Sequence, residues 1–166
     1  MVLVAATIGL AVAVAFNLLL TFGLIARLRE MAPAAPAWAP SRLVGRAIGA
    51  FEVTATDGTV LTDKLVAARS TIVGFFATGC PACAALRAKL AGARLPAPFI
   101  AFVDAEPSDP AAIELSDELA RLGPVAYTSR GAAVVEAFGP AGYPTLYRVD
   151  RGTVVAASHR LADVLT

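Results

Sequence analysis

The fold of this chain is decided by residues 71–83, which read TIVGFFATGCPAC. The first part, Thr71–Phe76, is a continuous run of apolar and β-branched residues, which is typical of a strand buried on both faces of a sheet. The run ends near Gly79, and the pattern turns helical from Pro81. A buried strand that passes directly into a helix predicts an α/β domain with a parallel or mixed sheet.

Two cysteines, Cys80 and Cys83, lie at this junction, and the chain contains no others. Pro81 at the first helical position makes Cys80 the N-cap residue. A sulfur at that position faces the free amides and the positive end of the helix dipole, so we expect its pKa to fall. Cys83 is close enough to form a disulfide with Cys80 and lies toward the helix interior. The spacing therefore predicts a redox centre in which Cys80 attacks and Cys83 resolves the mixed disulfide.

The elements around this junction follow from periodicity and turn signals. We predict a hairpin over 51–61, a strand over 98–103, a helix over 109–122, a strand over 125–127, a helix over 132–138, a hairpin over 145–157 and a helix from about 161. Parallel units come first, and an antiparallel pair closes the sheet. In the helix over 109–122, the expected buried residues are Ile113, Leu115, Leu119 and Leu122.

The N-terminal segment differs in composition from the rest of the chain. The whole chain is 57% hydrophobic with a mean hydropathy of +0.68, and Val2–Ala26 contains no charged residue. As a helix this segment would extend roughly 37 Å, enough to cross a bilayer. We predict an uncleaved transmembrane anchor at 1–30, a Pro/Ala-rich linker at 31–46 and a domain at 47–166, with cleavage near Ala37 as the alternative.

The charges give conflicting signals about location. Four arginines follow the apolar segment, so the positive-inside rule predicts a cytoplasmic domain. Disulfide chemistry is commonly placed on the extracytoplasmic side, where disulfides persist, and we expect a single-pass protein of the cell membrane with its domain on that side. With 14 basic and 13 acidic residues the net charge is +1, which argues against nucleic-acid binding.

Two separated motifs together resemble a known family. The strand running into Cys80-Pro81-Ala82-Cys83, and Gly142-Tyr143-Pro144-Thr145 before the last hairpin, are similar to the TlpA/ResA thioredoxin-like family and to MauD-type accessory proteins. The resemblance covers roughly residues 47–166. It implies a thioredoxin-like three-layer fold, in which a central mixed sheet is flanked by helices, together with an N-terminal transmembrane helix.

The resemblance also implies a function and supporting residues. Pro144 is expected to follow a cis peptide bond beside the sulfurs, and Tyr143 to offer its backbone to a cysteine-containing client as an added strand. Family members exchange disulfides in exported proteins such as apocytochromes c. We expect a thiol-disulfide oxidoreductase, acting as a reductase without cofactor or metal. Its partners would be a client protein, a redox partner protein and the lipid bilayer through residues 2–26.

Two other functions stay open at this point. A peroxiredoxin-like peroxidase would share the fold, but the P-x-x-x-T/S-x-x-C context is absent before Cys80. A copper-binding assembly module would use thiolates and a histidine, but the C-x-x-x-C spacing is absent. His159 is the only histidine, and a surface or hydrogen-bonding role is favoured for it.

Deprotonation of Cys83 is the open chemical question. The residue six positions before Cys80 is Gly74, where thioredoxin carries a buried aspartate that assists the second cysteine. Asp104 and Glu106 end the predicted strand over 98–103, and loop capping is favoured over proton transfer for both. Ala82 offers no charge to Cys80, so we expect a reducing or intermediate potential.

Overall fold

The computed structural model describes residues 44–165 and, nearer the N terminus, residues 10, 14, 17, 18 and 21. The chain divides into two units, Met1–Ala37 and Trp38–Thr166. The five described residues of the first unit are helical. Among all described residues, no helix is long and apolar enough to cross a bilayer. Most of the predicted anchor at 2–26 and of the linker at 31–46 lies outside the described residues.

The described part of the second unit contains seven strands and five helices. In chain order they are β1 (Glu52–Thr54), β2 (Val60–Thr62), α1 (Asp63–Ala67), β3 (Thr71–Ala77), α2 (Pro81–Ala91), β4 (Phe99–Asp104), α3 (Pro110–Ala120), β5 (Val125–Thr128), α4 (Ala133–Phe138), β6 (Thr145–Asp150), β7 (Thr153–Ser158) and α5 (Ala162–Leu165). Each predicted strand and helix is found within a few residues of its expected position.

The main sheet has the strand order β5-β4-β3-β6-β7. The strand β3 runs parallel to β4, with Ile72 opposite Phe99, and antiparallel to β6, with Phe75 opposite Thr145. The strands β4 and β5 are parallel, whereas β6 and β7 are antiparallel. The predicted mixed sheet is therefore confirmed, and β1 and β2 form a separate two-stranded sheet, as the expected N-terminal hairpin.

Two apolar layers cover the sheet because the residues of β3 alternate between its faces. Ile72 and Phe76 pack on one face with α2, α3 and α5. Val73 and Phe75 pack on the other face with the β1–β2 hairpin, α1 and α4. The three-layer arrangement that the family resemblance implied is present, and α2 brings Cys83 into the first of these apolar layers.

The buried face of α3 corrects one expectation. Ile113 was predicted to be buried, but it is 45% exposed. The buried residues are Ala112, Leu115, Ser116 and Leu119, which repeat at the i, i+3, i+4, i+7 spacing of one helical face. Ile113 lies about 100° around the helix from Ala112, so the prediction failed because the small Ala112 takes the contact position.

The helix α1 was not predicted from the sequence. It has five residues, and Thr62 caps it by accepting a hydrogen bond from the Leu65 amide at 3.2 Å. So short a helix shows no apolar periodicity, and Val66 is its one buried residue. A polar N-cap residue was the only local signal for it.

Both outer strands of the sheet are partly covered by the chain that precedes β3. Residues 45–48 run along β7, where the Val154 amide donates to the Arg46 carbonyl at 2.9 Å and the Ile48 amide donates to the Gly152 carbonyl at 2.9 Å. At the other edge, the Thr56 amide donates to the Val125 carbonyl of β5 at 2.7 Å.

Replacing Tyr147 with phenylalanine is expected to stabilise the fold. Its ring is fully buried against Phe75 and Phe138, and its hydroxyl has no hydrogen-bond partner among the described side chains and backbone. An unsatisfied buried hydroxyl costs about 1 kcal/mol or more, so the unfolding free energy of the Tyr147→Phe variant should rise by about 1 kcal/mol. Urea denaturation would measure this as a higher midpoint with an unchanged slope. A lower midpoint would contradict the prediction.

Candidate active site

Cys80 caps the N-terminus of α2. The strand β3 ends at Ala77, and the chain turns through Gly79, whose φ of +65° favours glycine. Cys80 itself is extended, with φ −100° and ψ 105°, and Pro81 follows as the first helical residue. The Cys83 amide donates a hydrogen bond to the Cys80 sulfur at 3.1 Å. Cys80 is therefore the N-cap residue of this helix, as the sequence predicted.

Cys80 and Cys83 form a disulfide, with their Cα atoms 5.2 Å apart. Cys83 is 1% exposed and belongs to the apolar layer beneath α2. Cys80 is half-buried, at the rim of that layer. Of the two sulfur-bearing side chains, only that of Cys80 is accessible to another protein.

The Tyr143–Pro144 segment lies directly beside this disulfide. The carbonyl oxygen of Tyr143 is 3.7 Å from the Cys80 sulfur, although 63 residues separate them in sequence. The Tyr143–Pro144 peptide bond is cis, as the family resemblance implied. Thr145 fixes the segment locally, since its hydroxyl donates to the Gly142 carbonyl at 2.6 Å. The two motifs that carried the resemblance therefore meet at one sulfur atom.

A cavity of about 350 Å³ opens next to the disulfide, between α2 and α3. Its lining includes both cysteines, and its charged residues are Arg87 from α2 and Glu114 from α3. Arg87 also donates to the Glu118 carboxylate, which joins the two helices. Neither residue was predicted from the sequence to belong to the site, and Glu114 reaches this cavity only because α3 packs against α2.

Gly74 leaves no room for an acidic side chain beneath Cys83. A Cβ atom at this position would lie 2.6 Å from the Phe76 ring and 3.1 Å from both Leu146 and Phe99 side-chain atoms. The volume that an aspartate would need is filled by these apolar groups. An acidic side chain beside Cys83 therefore cannot come from this position of β3.

Asp104 and Glu106 do not line the cavity beside the cysteines. Asp104 is two residues after Phe102, which packs on the sheet face opposite to Cys83, and alternate residues of a strand share a face. The Asp104 carboxylate instead lies beside Tyr143, where burial first and then this carboxylate raise the pKa of the phenol. Glu106 is exposed in the turn after β4.

His159 contacts the same segment as the disulfide does. Its Nδ1 atom lies within hydrogen-bonding range of the Pro144 carbonyl oxygen. This agrees with the hydrogen-bonding role favoured from the sequence, although no sequence pattern identified the partner. Within residues 44–165, no group of three or more His, Cys, Asp or Glu side chains is placed to hold a metal ion.

Comparisons with known proteins identify the fold. No protein-family model matches the chain, and no curated protein matches its sequence. The thioredoxin domain of a thiol-disulfide oxidoreductase from Bacteroides vulgatus superposes with a TM-score of 0.58 at 18% identity, over 74% of this chain and 92% of that one. A thio-disulfide isomerase from Thermus thermophilus gives a TM-score of 0.55 at 20% identity, over 69% and 84%.

A third solved structure agrees with these two. A thiol:disulfide interchange protein from a Bacteroides species gives a TM-score of 0.56 at 16% identity, over 74% of this chain and 85% of that one. Identities this low establish the fold alone. The domain thus has the thioredoxin-like α/β fold that was expected from its sequence, with a mixed central sheet and flanking helices.

Proposed function

We propose that this protein is a thiol-disulfide oxidoreductase that works through Cys80 and Cys83. One observation carries the proposal: the accessible Cys80 sulfur lies at the N-terminus of α2, bonded to a buried Cys83 and 3.7 Å from the Tyr143 carbonyl oxygen. Helix N-termini stabilise thiolates, and the backbone beside the sulfur is suited to hold a client segment. The solved structures with this fold include proteins described as thiol-disulfide oxidoreductases.

The proposed reaction is a two-step exchange. In the reduced protein, the Cys80 thiolate attacks one sulfur of a client disulfide, and the other client sulfur leaves as a thiolate. Cys83 then gives up its proton and attacks the Cys80 sulfur, which releases the second client thiol and forms the Cys80–Cys83 disulfide. Two electrons pass to the client, and a partner dithiol protein restores the reduced form by the reverse exchange.

We further propose that net electron flow is toward the client, as in reductases of the TlpA/ResA type. Ala82, between the cysteines, provides neither charge nor hydrogen bond to stabilise the Cys80 thiolate further. Disulfides in exported or membrane-proximal proteins, such as apocytochromes c, are the clients that this direction would serve. Such a client would pair its backbone with Tyr143 as an added strand.

The proposed location is the extracytoplasmic side of the cell membrane, with the N-terminal segment as a single-pass anchor. The uncharged run Val2–Ala26 supports an anchor. So do the described residues Leu10, Val14 and Leu18, which are helical and exposed, because exposed apolar side chains are suited to contact with lipid. Protease protection of the domain in intact cells, compared with opened cells, would test the side of the membrane.

The function is tested by the redox equilibrium of the full-length chain in detergent against glutathione and dithiothreitol series. We expect a reversible two-electron transition of Cys80 and Cys83 near the potential of thioredoxin, about −270 mV. A potential near that of DsbA, about −120 mV, would reverse the proposed direction of electron flow. The absence of a reversible transition would refute the proposed function.

Within this function, we propose Glu114 as the proton acceptor of Cys83. Both residues line the cavity between α2 and α3, whereas Gly74 leaves no space for an acid and Asp104 lies toward the other face. A carboxylate across a small cavity can take the proton directly or through a water molecule. Arg87 lines the same cavity and forms an ion pair with Glu118.

Replacing Glu114 with glutamine is expected to slow the resolving step about a hundredfold, the lower end of what loss of a general base costs. The step is measured by preparing the Cys80 mixed disulfide with glutathione and following thiol release at neutral pH. The matched control is Glu118→Gln, one helical turn away, which loses the ion pair with Arg87 but no residue of the cavity lining. Equal rates in Glu114→Gln and the wild type, or equal slowing in both variants, would contradict the assignment.

A further inference from the structure

The Tyr143–Pro144 segment is held from two sides. On one side, the Thr145 hydroxyl donates to the Gly142 carbonyl. On the other side, His159 reaches the Pro144 carbonyl from the turn that joins β7 to α5. Between these two contacts, the Tyr143 carbonyl oxygen lies beside the Cys80 sulfur. The imidazole is thus one peptide unit away from the group that flanks the reactive atom.

The turn that carries His159 is itself fixed by hydrogen bonds on both sides of the histidine. The Ser158 hydroxyl donates to the Asp163 carboxylate at 2.6 Å and accepts from the Arg160 amide at 3.1 Å. The Arg160 guanidinium donates twice to the same carboxylate, at 3.0 and 2.9 Å. These contacts, the Ser158 bond first, lower the pKa of Asp163. The backbone of His159 therefore lies between two anchored neighbours.

We propose that His159 is a positioning residue of the redox centre. Its Nδ1–H donates to the Pro144 carbonyl and so fixes the adjoining Tyr143 backbone at the distance from Cys80 that a client segment requires. The inference rests on the proposed function and adds a residue outside both sequence motifs. Misplacing a docked reactant by about an ångström can cost a hundredfold in rate, so loss of one of the two contacts should cost about tenfold.

The chemistry of the contact defines the variants that test it. Both the neutral tautomer protonated at Nδ1 and the imidazolium cation donate at this position. Asparagine places an amide N–H donor at nearly the same distance from the backbone. Aspartate has the same shape but only oxygen acceptors when ionised, which repel the Pro144 carbonyl. The pair His159→Asn and His159→Asp therefore separates hydrogen-bond donation from size.

The experiment measures kcat/KM for reduction of a protein disulfide by full-length variants in detergent. His159→Ala should lose about tenfold, His159→Asp at least as much, and His159→Asn less than threefold. Alkylation of reduced Cys80 by iodoacetamide should change less than twofold in the alanine and asparagine variants, because this small reagent needs no docking segment and neither variant adds a charge near the thiolate. Thermal unfolding identifies a variant that has lost its structure, and the other variants of the series then carry the test.

Three results would overturn the inference. One is a wild-type value of kcat/KM for His159→Ala. Another is an asparagine variant as slow as the aspartate variant, which would show that donation to Pro144 is not what matters. The third is a folded His159→Ala variant whose Cys80 alkylation falls as much as its kcat/KM, which would show that the imidazole acts on the cysteine itself and not on client docking. If the wild-type protein reduces no disulfide at all, the proposed function itself fails, and that result is separate from these three.

Discussion

Replacing Cys80 with serine is expected to abolish disulfide exchange and reduce the rate of client reduction to that of the uncatalysed reaction. A serine hydroxyl is not ionised near neutral pH and forms no mixed disulfide. The remaining thiol, Cys83, is 1% exposed and cannot reach a sulfur of another protein. The rate would be followed with a model disulfide protein and a dithiol as the electron source.

Cys83→Ser is the complementary variant. It should stop the reaction at the mixed disulfide between Cys80 and the client. Its Cys80 thiolate still attacks the client, but no resolving thiol follows, so a covalent complex accumulates on non-reducing gels. Cys80→Ser serves as the control that forms no complex. If Cys80→Ser trapped clients through Cys83, or if Cys83→Ser turned over at the wild-type rate, the assigned roles of the two cysteines would be wrong.

The second large effect is expected on stability, at Gly123 in the loop between α3 and β5. A Cβ atom there would overlap the carbonyl oxygen of Phe99 and lie 3.0 Å from its carbonyl carbon. Both segments are fixed by the sheet, since the Ala101 amide donates to the Pro124 carbonyl at 3.0 Å. Backbone atoms held in this way cannot move aside, and Gly123→Ala should lower the unfolding free energy by about 3 kcal/mol or more.

Gly92→Ala is the matched control for this substitution. Gly92 follows α2 with φ −101° and ψ 0°, which alanine adopts readily, and a Cβ there meets no atom within 4 Å. This variant should be unchanged or stabilised by up to about 1 kcal/mol, because alanine restricts the unfolded chain. Both are compared by urea denaturation with a common slope. Equal stability of the two variants would show that the contact with Phe99 relaxes.

The sequence predicted those parts of the site that depend on neighbours in the chain. The uninterrupted apolar run of β3, and the cysteine followed by proline, are local signals, and both were found as expected. The contact between Tyr143 and Cys80 was anticipated only through the family resemblance. No pattern within either motif relates two segments that are 63 residues apart.

The missed residues depend on how whole elements pack. Glu114 is exposed in the structure, and only the packing of α3 against α2 places it at the cavity beside the cysteines. Ile113 was assigned to the core because hydrophobicity alone does not choose between two adjacent faces of a helix. His159 was expected to form a hydrogen bond, but its partner follows from the path of the turn after β7. The role of each of these residues depends on a tertiary contact, and such a contact produces no periodic pattern in the sequence.

The coverage of the two outer strands has a consequence for the behaviour of the protein in a crowded cell. Unpaired strand edges are templates for intermolecular pairing and aggregation. Here residues 45–48 occupy part of the β7 edge, and Thr56 occupies part of the β5 edge. The segment over 45–56 therefore leaves fewer free backbone groups at the sheet edges for fibril-like pairing with another chain. This coverage matters for a protein whose proposed task is to bind clients through their extended backbones.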